Sequence, residues 1–296
     1  MIAINIKEWA TSSFFLFSSP SNRLYYLYLI SFIILALLFA KNKKEIFTKS
    51  YWFNPSAIFD YKVYGFNSLL KVLLITPVIF SVFTVTKSVL GILYFFFPNF
   101  SAFSLSDGSL LWVFTFYSFI INDFFRFFLH FLMHKIPFLW KFHRTHHTAT
   151  MLTPFTLHRN HPVEVLLAQC RNVISLGVIS GSFMFLFNKQ VGGVDILGVN
   201  FIGFLFNLLG SNLRHSHIFL GYGPMEYLFL SPAQHQIHHA KDVELYNKNY
   251  GIVLSVWDIL FKSFRISRDV KISGFGTGEK SVEHTFKSQI LSAFKP

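Results

Sequence analysis

Residues 110 to 130 read LLWVFTFYSFIINDFFRFFLH, a run in which only Asp123 and Arg126 carry charge. As a helix, a run of this length reaches across a bilayer. In lipid, a spanning segment must satisfy its backbone polar groups internally, which favours the helix. Comparable apolar runs lie at 24–40, at about 66–97 with Pro77 and Lys87 inside it, at 163–187 and at 191–210. Of the 296 residues, 52% are hydrophobic and 14% charged, where soluble domains carry about 25% charged residues. The chain is therefore expected to be all-α, a polytopic membrane helical bundle.

Charge sets the expected topology. The segment KNKKEIFTK after the first run is net positive and should stay in the cytoplasm, while PNFSAFSLSDGS (98–109) has no Lys or Arg and should lie outside. Residues 1–23 are mixed and fit the membrane surface, and no cleavage site follows the first run, so an uncleaved anchor is expected. The runs 163–187 and 191–210 read as a hairpin around Asn188, Lys189 and Gln190. This parity leaves every His-rich segment on the cytoplasmic side, as a histidine-rich helical cap. The net charge of +12 fits positive-inside topology and anionic lipid headgroups, and no nucleic-acid module is visible. The one cysteine, Cys170, excludes a disulfide framework or a Cys-based metal site. It falls in the run 163–187, where lipid should shield it.

The 13 histidines are not scattered. WKFHRTHH places His143, His146 and His147 in an H-x-x-H-H box, and AQHQIHH repeats it with His235, His238 and His239. His130 and His134 are four apart in HFLMH, one helical turn on one face. Spacings of three and four put each box on one helical face too. Two such boxes by chance in one chain have a probability of about 10⁻³. Neutral imidazoles suit zinc, copper, iron and nickel, and eight or more exceed the three or four that one zinc takes. Two metals are expected, beside a bilayer. Ligating histidines need acceptors for their other ring nitrogen. Asp123, seven before His130, is the best placed by spacing, ahead of Glu164, Asp242 and Asp258. His158, His217 and His284 read as ordinary histidines. HPVE at 161–164 reads equally well as helix initiation, with Pro162 at the first position and Glu164 in the first turn, and as part of the site. Ser231 and Pro232 start the helix carrying the last box.

The segments DFFRFFLHFLMHKIPFLWKFHRTHH, RNHPVE, LRHSHIFLGYGPMEYLFLSPAQHQIHH and NKNYGIVLSVWDILF resemble the fatty acid hydroxylase/sterol desaturase superfamily of membrane-bound, non-haem di-iron enzymes. The resemblance covers about 115–264. Within it, the chain looks most like alkylglycerol monooxygenases and bacterial sterol desaturase-like proteins. It implies metal ligation by His130, His134, His143, His146, His147, His235, His238 and His239, with His215 at the position of a further ligand. His161 matches the family's HP-x-E element, whereas His217 departs from the family spacing, and Lys262 and Ser263 replace a usual Gly-Thr. His161, His217, Asp123, Glu164 and Asn249 are the additional ligand or orienting candidates. Asn249, Tyr250 and Gly251 read as a turn that the family places close to the metals. The division expected is 1–108 as N-terminal membrane-anchoring helices, 109–264 as the catalytic domain and 265–296 as a cytoplasmic tail.

The function expected is an O2-dependent oxidoreductase with two irons per chain that hydroxylates or desaturates a lipid alkyl chain or sterol-like substrate. No reductase, haem or flavin motif is visible, so electrons must come from a reductase, ferredoxin or cytochrome partner, or from a pterin. The alternative is a metal-binding membrane transporter or sensor, whose histidines would line a path inside the spans; here they are expected past the ends of the spans. A hydrolytic metalloenzyme would want H-E-x-x-H or carboxylate ligands, and neither box has one. Compact size and the absence of organelle signals point to a bacterial inner membrane.

Overall fold

A computed structural model describes residues 17–18, 23–40, 43–70, 82–189, 202–279 and 282–294. Among them every regular element is helical, and the strand-like pairings are two isolated bridges, Phe229 with Leu254 and Ala240 with Phe275. The helices used below are α1 (Tyr26–Phe39), α2 (Pro55–Leu70), α3 (Val82–Phe96), α4 (Asp107–Lys135), α5 (Pro137–His147), α6 (Pro162–Phe187), α7 (Pro232–His238) and α8 (Val256–Leu260).

Two of them, α4 with 29 residues and α6 with 26, are long and apolar enough to cross a membrane. At 1.5 Å per residue they run about 43 and 39 Å, against about 30 Å of hydrocarbon. The first apolar run forms only the 14 residues of α1, about 21 Å, which is short of a span. In the long region expected at 66–97, helix already begins at Pro55 and a second helix occupies 82–96. The expected break at Pro77, most of the N-terminal segment and the stretch 190–201 of the hairpin lie outside the described residues. Cys170 sits in α6 with its surface exposed, so lipid alone, not protein, would shield it.

Helices α3 and α6 approach closely because α6 carries glycine four residues apart. A Cβ at Gly177 would lie 2.5 Å from Val85 Cβ, and one at Gly181 2.8 Å from Val89 Cβ. This small-x-x-x-small spacing lets two helices pack without a hydrophobic driving force. On its other side α6 meets α4 through Leu110, Phe114, Ile179 and Phe183, joined by a 2.6 Å hydrogen bond between Tyr117 and Ser182. Outward faces stay apolar, with Phe95, Trp112, Phe116 and Leu176 exposed.

A buried arginine ties the remaining segments together. Arg159, fully buried, pairs with Asp60 of α2 at 2.9 Å and donates to Thr145 O, Ser56 Oγ and Thr148 Oγ1, each at 3.0 Å. Its Nη2 also reaches His284 Nδ1 at 2.8 Å. The C-terminal segment is thus packed down, with Ile290 against Phe59 and Val63. His284, which reads as isolated in the sequence, is an acceptor for this guanidinium. Burial and the Arg159 charge hold its pKa down at about 4.

Candidate metal centre

The site begins at an elbow. Helix α4 stops at Lys135 because Ile136 precedes Pro137, which disfavours further helix, and Pro137 opens α5 at once. The last turns of α4, bearing His130 and His134, therefore fold against α5, bearing His143, His146 and His147. On the opposite side Ser231 caps α7 in a capping box with Gln234: Ser231 N donates to Gln234 Oε1 at 2.9 Å, and Gln234 N to Ser231 Oγ at 3.1 Å. A short turn at Ser211–Arg214, entered through Gly210 at φ +103°, presents His215. Gln236 Nε2 fastens that turn to α7 by donating to Leu213 O at 2.9 Å and Ile218 O at 2.8 Å.

These elements bring nine histidines into two groups. His130, His134, His143, His147 and His238 form one; His146, His215, His235 and His239 form the other. Within each, one ligand atom per residue lies within 4.8 Å of all the others. The sequence reading put each H-x-x-H-H box on a single face, and the structure corrects this. Successive helical residues diverge by about 100°, so each box feeds both groups. His143 and His147 serve the first and His146 the second; His235 and His239 serve the second and His238 the first. The groups adjoin, with the His147 and His239 rings stacked at 4.5 Å.

The donor set fits metal ions. In the first group His130 Nδ1 donates to Tyr250 O at 2.7 Å, His143 Nδ1 to Glu164 Oε1 at 3.0 Å and His238 Nδ1 to Lys248 O at 2.8 Å. Each bond fixes the proton on Nδ1 and leaves Nε2 as the ligand atom. Nε2 of His134, His143, His147 and His238 is buried without a hydrogen-bond partner. In the second group His215 Nε2 lies 3.4 Å from His146 Nε2 and 3.1 Å from His235 Nε2, which is 3.2 Å from His239 Nε2. Nitrogens bound to one ion at about 2.0–2.1 Å stand about 3.0–3.4 Å apart. Each ring nitrogen has only one in-plane direction for a proton or lone pair, so four converging on one point suit a cation better than each other. Burial, with the neighbouring histidines, holds His146, His147, His235 and His239 well below the usual histidine range, and burial with the Arg214 and Arg23 charges does so for His215. Burial takes His238 down to about 3. These six rings are thereby held in the neutral form that metal ligation requires.

Two cavities flank the groups. One of about 170 Å³ touches both, reaching His130 and His143 of the first and His146, His215 and His235 of the second, with Leu129, Met133 and Ile252 in its wall. The other, of about 360 Å³, lies against His134, His147 and His238 beside Trp140.

Residues 115–263, just over half of the chain, match the family described as Fatty acid hydroxylase. The chain belongs to the fatty acid hydroxylase family. Among curated relatives it is 26% identical to human alkylglycerol monooxygenase over 161 residues, covering 54% of this chain and 33% of the relative. It is 29% identical to the ornithine lipid hydroxylase OlsE of Rhizobium tropici over 161 residues, covering 52% and 44%. The match to alkylglycerol monooxygenase of Caenorhabditis elegans is 24% over 182 residues, covering 61% and 32%. The chain thus spans less than half the length of each. No solved structure matches.

In this member of the fatty acid hydroxylase family, the remaining candidates separate by their partners. His161 caps α6: its Nδ1 accepts from Val163 N at 3.1 Å and its Nε2 donates to Ile290 O at 3.1 Å. Both nitrogens are used, so it stands outside the two groups. His217 packs edge-on against Tyr51 at 5.0 Å, also outside them. Asp123, expected beside His130, instead accepts from Val253 N, Leu254 N and Trp257 Nε1 at 3.0–3.1 Å. It pins the segment 253–257 that follows Tyr250 and makes no hydrogen bond to His130. Glu164 is the carboxylate that touches a clustered histidine. Asn249, at φ +55°, bonds Gln234 O and Arg265 O and shapes the turn before Tyr250. Gly251 is required there, since a Cβ would lie 2.7 Å from Asp258 Oδ2. That carboxylate receives Tyr250 N at 2.7 Å and Gly251 N at 2.8 Å. The sequence reading missed Gln236, Glu226 and the role of Asp258. Glu226 accepts from Ser231 Oγ at 2.7 Å and Ser267 N at 2.8 Å, and the only sequence signal was a polar residue beside each motif.

Proposed function

We propose that this chain is a membrane-bound, O2-dependent non-haem di-iron oxidoreductase that hydroxylates or desaturates a lipid alkyl chain or sterol-like substrate. The observation that carries this reading is the pair of adjoining, nitrogen-only groups opening onto one cavity, part of whose wall is formed by Leu129, Met133, Leu157 and Ile252. His130, His134, His143, His147 and His238 would hold one iron, and His146, His215, His235 and His239 the other. Iron supplies the redox chemistry needed to use O2 against an unactivated C–H bond, which zinc lacks. The protein's part is orientation. Tyr250 O, Lys248 O and Glu164 hold ring tautomers, and the walls at Leu129, Met133 and Ile252 position an alkyl chain and exclude water. Where the chain lies decides between hydroxylation and desaturation. The names of the relatives, an alkylglycerol monooxygenase and an ornithine lipid hydroxylase, support a lipid substrate. Electrons would come from a partner protein or a pterin, and the cavity beside Trp140 is the free approach to the first group.

The reading includes a polytopic bundle with the histidine-rich cap in the cytoplasm, in a bacterial inner membrane. It also includes the division into 1–108, 109–264 and 265–296. Ser104→Cys should react with an impermeant maleimide in intact cells and Ser273→Cys only after permeabilisation, in a Cys170→Ser background. For the chemistry, purified protein expressed with excess iron should hold about two irons per chain and consume O2 with reductant and membrane lipid. Lipids from cells with and without the gene should then differ by one oxygen or one double bond. Metal binding without O2 uptake would leave a transporter or sensor instead.

A further inference from the structure

The cavity that touches both histidine groups is also lined by four arginines: Arg23, Arg126, Arg171 and Arg214. Among the described residues none of the four lies within 4 Å of a carboxylate oxygen. Glu164 lines the same cavity, its Oε1 engaged with His143 and its Oε2 buried without a hydrogen-bond partner, and Asp123 is used up on backbone N–H groups and Trp257. Arg23 bonds Ser211 Oγ. Arg214 is 4% exposed and stacks on Phe206 at 4.7 Å, yet its Nε and Nη2 are buried without a hydrogen-bond partner, as is Arg171 Nη1. Buried charges are normally paired, and ionisable groups within membrane helices mark binding sites by default. Four guanidinium side chains and one carboxylate thus line this cavity.

We infer that this cavity binds the oxyanion of the substrate lipid, a phosphate or carboxylate, through Arg171, Arg214 and Arg126. This rests on the reading of the chain as a lipid oxidoreductase and narrows its substrate class. Guanidinium forks match such oxyanions. Depth agrees. Helix α4 exceeds the hydrocarbon thickness by about 13 Å, and Arg126 lies nine residues, also about 13 Å, from its end. Arg171 lies nine residues into α6. Once the histidine end projects from the bilayer, Arg126 stands where headgroups meet hydrocarbon and Arg171 about 4 Å further in, since α6 exceeds the hydrocarbon by about 9 Å. Because His146, His215 and His235 line the same 170 Å³ cavity, the oxidised carbon belongs to the polar end of the lipid rather than to mid-chain.

The test is equilibrium binding of radiolabelled palmitoyl lysophosphatidate and of chain-matched monopalmitoylglycerol to the full chain in neutral detergent. Inorganic phosphate serves as competitor, and iron content and O2 uptake are measured on the same preparations. The anionic lipid should bind at least about tenfold more tightly. Arg171→Gln and Arg214→Gln should each weaken it about 10- to 100-fold while leaving the neutral lipid within about twofold. Arg171 is remote from any clustered histidine in sequence, so its variant keeps the test open if Arg214→Gln disturbs His215. Equal affinity for the two lipids, or no change in the variants, overturns the inference. Phosphate displacing the lipid at equal concentration overturns the headgroup assignment and leaves a free-oxyanion site. Iron-loaded protein with lipid-dependent O2 uptake but no anionic preference sinks the inference alone. Preference without iron or O2 uptake sinks the proposed function alone.

Discussion

Removing the Glu164 carboxylate should cost this protein one metal and spare the other. Glu164 Oε1 lies 3.0 Å from His143 Nδ1, with both side chains under a tenth exposed. A hydrogen bond to a charged partner is worth about 1.5–3 kcal/mol, and each 1.4 kcal/mol is about tenfold in affinity. Glu164→Gln keeps an acceptor oxygen but loses the charge, so the five-histidine group should lose about tenfold in metal affinity. Glu164→Leu also leaves the His143 N–H buried without an acceptor, and its loss should approach about 100-fold, the upper range for a residue that orients a ligand. The other group has no contact with Glu164 and should be unchanged. Iron per chain, measured after dialysis against graded chelator, should fall from about two towards one, first in the Leu variant and later in the Gln variant. Thermal unfolding and gel filtration would establish that both variants fold. Equal retention of both irons in folded Glu164→Leu would refute the orienting role, and simultaneous loss of both would refute the separation into two groups.

His143→Ala and His239→Ala belong to different groups, so each should abolish turnover while leaving about one iron per chain; normal activity in either would exclude a shared centre. Gly181→Leu places a side chain where even a Cβ meets Val89 at 2.8 Å, and should lower stability by about 1–3 kcal/mol or more; an unchanged unfolding temperature would show that α3 and α6 do not pack this way. His284→Ala removes an acceptor from buried Arg159 and should cost about 1–3 kcal/mol without changing iron content, whereas a silent variant would place the C-terminal segment elsewhere. The metal-free protein should lose stability on acidification. His146, His147, His215, His235 and His239 have folded pKa values below the ordinary 6.5 and His238 about 3, so stability is full above about pH 6.5 and falls as pH drops towards those values; a flat melting profile between pH 7 and 4 would contradict their burial.

The sequence by itself determined that this chain is helical, that it is built for a membrane and that it carries a two-box histidine centre. Apolar runs of 17 to 25 residues and spacings of three, four and seven are local properties, and a helix displays them wherever it sits. Ser231, Pro232 and Pro162 likewise open helices for local reasons, because capping depends on neighbouring residues. Tertiary structure decided which nitrogens meet. Spacing grouped His143, His146 and His147 together, but the elbow at Ile136 and the facing helix α7 sorted them between two centres. It decided the carboxylates too: Asp123 shares the face of His130 about two turns away, yet the segment 253–257 claims both its oxygens, while Glu164, at the start of α6, reaches His143 of α5. In the sequence His161 reads equally as a cap and as part of the site, and packing decides for the cap, since its two nitrogens are spent on Val163 N and Ile290 O. The arginine-lined cavity had no sequence signal, since Arg23, Arg126, Arg171 and Arg214 share no period or motif. Each was placed by a different segment, and only packing four segments around one space makes their unpaired charges a single feature.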